Sequence, residues 1–292
     1  MHRSFTALLG AAVLAACSTK DAAKTDTFKI AQSGSPASAT AMYDPATRTA
    51  TIHAKDFAFV APDTIPAGWN NFRLVNDGPA LHHLLIVRLD SGKTAADFGA
   101  ATQKPGASFP AWATLVGGPN APNPGAESNG AFNLEPGNYL MLCLVDIPDH
   151  VPHFAKGMMH PFTVTASQAA GTEPASDATV ALGDYAFTLT GTLSAGHHVV
   201  KVTNGGPQPH EVEIVKFAPG KGMKDLGAWA ANFQGPPPGD AIGGVAPLAK
   251  GTSGVFTIDL TPGNYALLCF IPDMKDGKPH IEHGMFKEFA VK

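Results

Sequence analysis

At 292 residues with 44% hydrophobic content, the chain is too long for one typical domain and carries enough apolar material for two sizeable cores. A formal net charge of −4, a pI near 6.3 and only 15% charged residues supply neither a basic face for phosphate backbones nor an acidic tail, so no nucleic-acid partner is expected. The 31 glycines and 25 prolines punctuate short runs rich in Val, Phe, Thr and Leu, which reads as a β-rich chain with many turns and no long helix.

At the N-terminus His2 and Arg3 precede an apolar stretch, Phe5 to Ala16, too short to span a bilayer, and then Leu14-Ala15-Ala16-Cys17. This resembles a bacterial lipoprotein signal, cut before Cys17 with the thiol then acylated; an ordinary secretory signal with an incidental cysteine is the alternative. Residues 1–16 are thus expected to be a signal peptide. Residues 17–45 read as acylated cysteine plus flexible tether, because their Ser, Ala, Thr, Lys and Asp show no periodicity. The expected location is the bacterial cell envelope, lipid-anchored on the periplasmic or extracellular side.

The remainder is an internal repeat. The segment from Asp56, "DFAFVAPDTIPAGWNNFRLVNDGPALHHLLIV", aligns without a gap with "DYAFTLTGTLSAGHHVVKVTNGGPQPHEVEIV" from Asp184. "LEPGNYLMLC" ending at Cys143 matches "LTPGNYALLC" ending at Cys269, and "PHFAKGM" from Pro152 matches "PHIEHGM" from Pro279. A duplicated unit gives domains over 46–167 and 177–292, with 168–176 as linker.

Within each unit, alternation in Ile52–Phe59 and Val180–Leu189 predicts an opening strand. Turns at Ala67-Gly68 and Ala195-Gly196 lead to strands at Phe72–Val75 and Val199–Val202, and further strands follow at Leu84–Val87 and Val212–Val215. Thr94 and Asp97 have capping-box spacing for a short helix, with Met223–Ala231 as its counterpart. Val116–Gly130 and Gly235–Gly244 read as Pro/Gly-rich loops, and the closing strands as Pro161–Val164 and Phe286–Val291. Short strands with one brief helix per repeat make a sandwich rather than an α/β fold.

On that scaffold each repeat places a His at a strand start, a Cys at a strand end and then His-x4-Met before the last strand: His82, Cys143, His153 and Met158, and His210, Cys269, His280 and Met285. Two imidazoles, a thiolate and a weak thioether are the donor set of a trigonal copper electron-transfer site. The competing reading makes each Cys a small buried hydrophobe and each His or Met a gap filler. A Cys143–Cys269 disulfide would require equivalent positions of two sandwiches to approach closely. Among the other histidines, alternation turns His83 away from the ligand face. His150, His160 and His283 read as exposed loop residues, with an auxiliary metal site as the alternative, and His197-His198 as solvent-facing.

"PGNYxxxC", "G-P-x-x-H" and "PHxxxGM" together resemble the plastocyanin/azurin-type cupredoxin signature, over nearly all of both repeats. The resemblance implies an all-β chain of two tandem Greek-key β-sandwich domains, each with one short helix, and assigns copper-ligand roles to the eight residues just named. It departs from the pattern in its ligand loop: nine residues separate Cys143 from His153 and ten separate Cys269 from His280. Three functions fit: electron transfer to a redox protein partner, copper buffering or delivery to a copper-exchange partner (which a mobile Cys–His loop would favour), and a metal-free interaction module. Cys143 lies between Leu142 and Leu144 and Cys269 between Leu268 and Phe270, so no His-Cys bridge to a second copper centre exists and an enzyme is not expected.

Overall fold

Side chains at alternate positions of Thr49–Lys55 and Gly68–Asn76 are buried, the period-two pattern that half-covered strands require, and these segments form β2 and β5. The computed structural model describes residues 42–102, 109–146, 151–230 and 235–292; the signal segment, Cys17, nearly all of the tether and His150 lie outside the described residues. The rest of the first repeat comprises β1 (Tyr43–Asp44), β3 (Ala58–Val60), β4 (Thr64–Pro66), β6 (Leu85–Leu89), α1 (Ala95–Ala101), β7 (Ala113–Gly117), β8 (Glu127–Leu134), β9 (Gly137–Leu142) and β10 (Met159–Thr165). The second repeat follows with β11 (Ala178–Gly183), β12 (Ala186–Thr190), β13 (Gly196–Asn204), β14 (His210–Phe217), α2 (Met223–Ala230), β15 (Gly239–Leu248), β16 (Ser253–Leu260), β17 (Gly263–Leu268) and β18 (Phe286–Val291).

Each repeat is a two-sheet sandwich, and the repeats join edge to edge in both layers. One sheet runs β1-β2-β5-β8-β16-β13-β11-β12, with β3 paired to β2; the other runs β18-β17-β14-β15-β7-β6-β9-β10-β4. The seams are β8 against β16, with Val255 opposite Ala131, and β15 against β7, with Leu248 opposite Val116. Bridges Pro119–Val245 and Pro122–Ile242 extend the second seam. Pairing at the seams satisfies backbone groups that would otherwise be open sheet edges. One cluster of buried side chains, including Phe72, Phe132, Val212, Val245 and Phe256, runs through both repeats. Segment 168–176 is tied down as well: Arg48 donates to Ala169 O (2.8 Å), and the Trp69 amide donates to Ala170 O (2.6 Å).

The Thr94–Asp97 capping box is present and α1 begins where its spacing places it. Two expectations are corrected. The opening strand is broken in each repeat by a tight turn, at Asp56-Phe57 and Asp184-Tyr185, where Phe57 and Tyr185 take left-handed backbone angles (φ 62° and 59°). The segments read as loops, Val116–Gly130 and Gly235–Gly244, contain parts of β7, β8 and β15, because pairing with β6, β5 and β14 of their own repeats, supplemented by bridges across the seam, overrides their Gly/Pro content. Among the described residues no helix is long and apolar enough to cross a membrane.

Candidate metal centres

The cysteines are delivered by the strands that carry the PGNY motif. In β9 and β17 a buried tyrosine donates its hydroxyl to the carbonyl four residues back, Tyr139 to Glu135 O (2.8 Å) and Tyr265 to Thr261 O (2.7 Å). This satisfies the polar tip while the ring fills the core, and it fixes the strand start. Four residues after the tyrosine, just past the end of each strand, come Cys143 and Cys269, both fully buried and neither in a disulfide.

The ligand loop then returns. Bridges Asp146–Pro152 and Pro272–Pro279 clamp its base, and the amides of His153 and His280 donate to Val145 O and Ile271 O (2.9 Å each). His153 and His280 open single turns of 3-10 helix (His153–Lys156 and His280–His283), ended by Gly157 and Gly284 in left-handed conformation. Met158 and Met285 follow, fully buried in the core that also holds the cysteines; their amides donate to His153 O and His280 O (3.1 and 3.0 Å). His82 lies just before β6 and His210 begins β14.

The histidines and the cysteine of each repeat therefore converge. His82 Nδ1 is 3.1 Å from His153 Nδ1, and Cys143 Sγ is 3.4 Å from the same His153 nitrogen. The second repeat reproduces this at 3.0 Å (His210 to His280) and 3.4 Å (Cys269 to His280). All three donor atoms of each set lie within 4.8 Å of one another. Two nitrogens each about 2 Å from one ion stand roughly 3 Å apart, so this spacing fits a shared metal.

Protonation follows from burial. Desolvation holds His82, His210 and His280 below the usual imidazole range, and His153 falls to about 4 with His82 adding to the effect. The rings are neutral near pH 7 and their lone pairs are free to ligate. Burial pushes the Cys143 thiol up to about 12 and Cys269 up as well, with the Glu211 charge adding to the latter. Thiolate formation inside such a site requires a cation to take the proton's place.

Two supporting residues per site were not singled out in the sequence. Asp56 Oδ1 accepts from His82 Nε2 (3.0 Å) and Asp184 Oδ1 from His210 Nε2 (2.8 Å), which turns each Nδ1 lone pair inward. The next residue packs edge-on against the other ligand histidine: Phe57 on His153 and Tyr185 on His280, both at 5.4 Å between centroids. Gly78 and Gly206 close over the His–Asp contact, where an added Cβ would lie 2.6 and 2.8 Å from the histidine Nε2. The signal is present in the sequence: Asp-aromatic and Gly-Pro recur in both repeats, although inside an alternating run the first pair reads as strand.

The remaining histidines correct several expectations. His83 is buried and its Nε2 accepts from the Leu144 amide (2.6 Å). His160 is a buried β10 residue 3.2 Å from Asp63, not an exposed loop residue. His197 is exposed, whereas His198 is buried and held by Asp177 (2.8 Å) and Ser194 O (2.9 Å). His283 Nε2 contacts Asp276 (3.2 Å), and these two residues with Asp273 form a third donor group beside the C-terminal site.

No protein-family model and no curated protein matches the sequence. Among solved structures, the dithionite-reduced auracyanin of the photosynthetic bacterium Roseiflexus castenholzii is 24% identical over 40% of this chain and 97% of its own, with a TM-score of 0.30. A blue copper oxidase from Nitrosomonas europaea is 14% identical over 79% of this chain and 82% of its own, with a TM-score of 0.24. A copper nitrite reductase from the same organism is 15% identical over 84% of this chain and 94% of its own, also at 0.24. The metal-binding capacity itself rests on this chain's own donors, assembled twice.

Proposed function

We infer that the chain is a copper-binding electron-transfer protein with one centre per repeat. The observation that carries this reading is the pair of buried, prearranged Nδ1–Nδ1–Sγ sets, built by equivalent residues in both halves. His82, Cys143 and His153, and His210, Cys269 and His280, would hold the metal, with Met158 and Met285 as weak axial donors. Copper supplies one-electron exchange between its two common oxidation states, and mixed imidazole and sulfur donors accommodate both. Asp56 and Asp184 keep two imidazoles in the ligating tautomer, while strand ends and clamped loops hold donor positions against reorganisation. The clamped loop base favours this reading over copper buffering, which profits from a loop that opens.

The proposed partner is a redox protein that approaches Phe57 and Tyr185, the rings packed on the ligand histidines. The proposed setting is the cell envelope, with the lipid on Cys17 as the membrane link and no enzymatic turnover. Copper loading of soluble protein beginning after Cys17 tests the reading. An intense thiolate-to-copper absorption band and a reversible one-electron titration are expected. Stoichiometric copper without that band would favour buffering, and no binding would leave a metal-free module.

A further inference from the structure

The seam between the repeats buries a polar group of residues that the two centres do not use as ligands. His83, Asn120, Glu211 and Glu213 are all at most 6% exposed, in surroundings that are otherwise apolar. Such groups cost stability unless paired, so each contact among them is informative. His83 Nε2 accepts from the amide of Leu144, the residue after Cys143 (2.6 Å), and the same ring is hydrogen-bonded to the Asn120 side chain. Asn120 Nδ2 donates across the seam to Glu211 Oε2 (3.2 Å). The other carboxylate oxygen, Glu211 Oε1, accepts from the amide of Phe270, the residue after Cys269 (2.9 Å).

The two ends match although their chemistry does not. His83 and Glu211 occupy equivalent positions of the repeat, one imidazole and one carboxylate, yet each accepts from the amide that follows its own repeat's cysteine. Asn120 has no such equivalent; the position related to it in the second repeat is Ala246. Fixing the alignment of the repeats needs neither cysteine-adjacent end, because the Asn120 and Ala121 backbones already pair with Gly244 O and Glu213 Oε2.

We propose that the His83–Asn120–Glu211 bridge joins the two cysteine sites into one redox unit, so that an electron accepted at either centre is exchanged with the other inside the chain. This rests on the copper reading above. In the exchange, copper at one site passes from Cu(I) to Cu(II) as copper at the other passes from Cu(II) to Cu(I); one electron moves, no bond breaks and no proton is released. Three of the bridge's links are contacts of 2.6 to 3.2 Å, and the fourth is the hydrogen bond between the His83 ring and the Asn120 side chain.

The test uses the full chain loaded with copper at both sites, in a Met285→Gln background whose altered axial donor separates the two absorption bands. A pulse of a one-electron radical reductant, below one equivalent, is followed by the redistribution of bleaching between the bands. A first-order rate independent of protein concentration is expected. Asn120→Leu should slow it about tenfold or more, the usual scale for loss of an outer-shell partner, with both bands and both potentials kept. His83→Phe cuts the same bridge at another link and should do likewise if Asn120→Leu fails to fold, whereas Glu213→Gln, which leaves all three bridge residues in place and keeps an acceptor for the Ala121 amide, should stay near the parent rate. Intact bands with an unchanged rate in the cut variants, or exchange that only occurs between molecules, would overturn the bridge alone. Absence of a thiolate band from the parent chain would overturn both the bridge and the copper reading.

Discussion

The two centres share their donors but differ in what surrounds them. In the first, Phe57 meets His153 with a ring that has no polar tip, and Asp56, supporting His82, has a side chain 42% exposed. In the second, Tyr185 donates its hydroxyl to Asp273 Oδ2 and Gln208 Nε2 donates to the same oxygen (2.9 Å), while Gln208 Oε1 takes the Met274 amide (2.7 Å). These bonds hold the Asp273 carboxyl well below the usual carboxylate range, and its charge lies 3.7 Å from His280 Nε2. Asp184, whose side chain is 24% exposed, is also the better shielded support. Duplicated ligands thus sit in one polar, negatively charged frame and one apolar frame, and the frame rather than the ligand set is where the two centres can acquire different properties.

The largest expected effect removes one centre. Cys269→Ser should halve the copper stoichiometry and delete the C-terminal thiolate band, and Cys143→Ser should do the reverse, because a hydroxyl is a poor soft-metal ligand. Metal analysis with visible spectra checks this, and loss of both bands from either change would show that the shared sheets make the sites interdependent. Next in size are the supports. Asp56→Asn should weaken copper binding at its site about tenfold and Asp184→Asn by more, up to about a hundredfold, since the shielded carboxylate is the stronger partner. Chelator competition reads both, and equal losses would erase the distinction between the frames.

A smaller effect addresses the frame itself. A negative charge beside a ligand stabilises the more positive metal, so the C-terminal centre should have the lower reduction potential of the two. Asp273→Asn should raise that potential toward the N-terminal value. Tyr185→Phe, which removes a donor that partly neutralises the Asp273 charge, should move it the opposite way and less. Spectroelectrochemical titration distinguishes the sites, and potentials that already coincide in the parent chain would refute the argument.

The convergence of His82, Cys143 and His153 and of His210, Cys269 and His280, with most strands, was legible because each depends on local spacing that the repeat displays twice, and the helix cap was legible from the Thr94–Asp97 spacing of the first repeat. Asp56 and Asp184 were not, since an Asp-aromatic pair inside an alternating run reads as strand until the left-handed turn at Phe57 and Tyr185 is known. The seam was illegible for another reason: β15 and the Pro119–Pro122 segment are Pro/Gly-rich, β15 is ordered chiefly by β14 of its own repeat, and the bridges that join it to Pro119 and Pro122 are fixed only by tertiary contact. His83 shows the same limit. Alternation correctly turns it off the ligand face, but what it meets there, the Leu144 amide, is fixed only by tertiary contact.

The smallest expected effect lies at a position where the repeats differ most in polarity, Leu85 and Glu213. Glu213 is buried; one oxygen accepts from the Ala121 amide (3.1 Å), while Oε1 has no hydrogen-bond partner. Burial, with the nearby Glu211 charge adding to it, raises its carboxyl well above the ordinary 4.5, and burial pushes Glu211 up to about 7. Above pH 4.5 the unfolded chain has released a proton that folded Glu213 still holds, so the folded state binds more protons and loses stability as pH rises toward the folded value. Glu213→Gln keeps an acceptor for Ala121 and removes this titration. The variant should therefore be close to the parent at pH 4 and more stable at pH 8 by about 1 kcal/mol, the scale of an unsatisfied buried polar group. That corresponds to a rise in Tm of about 2–4 °C for a domain of this size class. Thermal melts of the metal-free protein across pH 4 to 8 provide the check. A variant that loses stability most at high pH would mean that Glu213 is ionised and paired in the folded chain, and that the second repeat gains from its carboxylate where the first does without one.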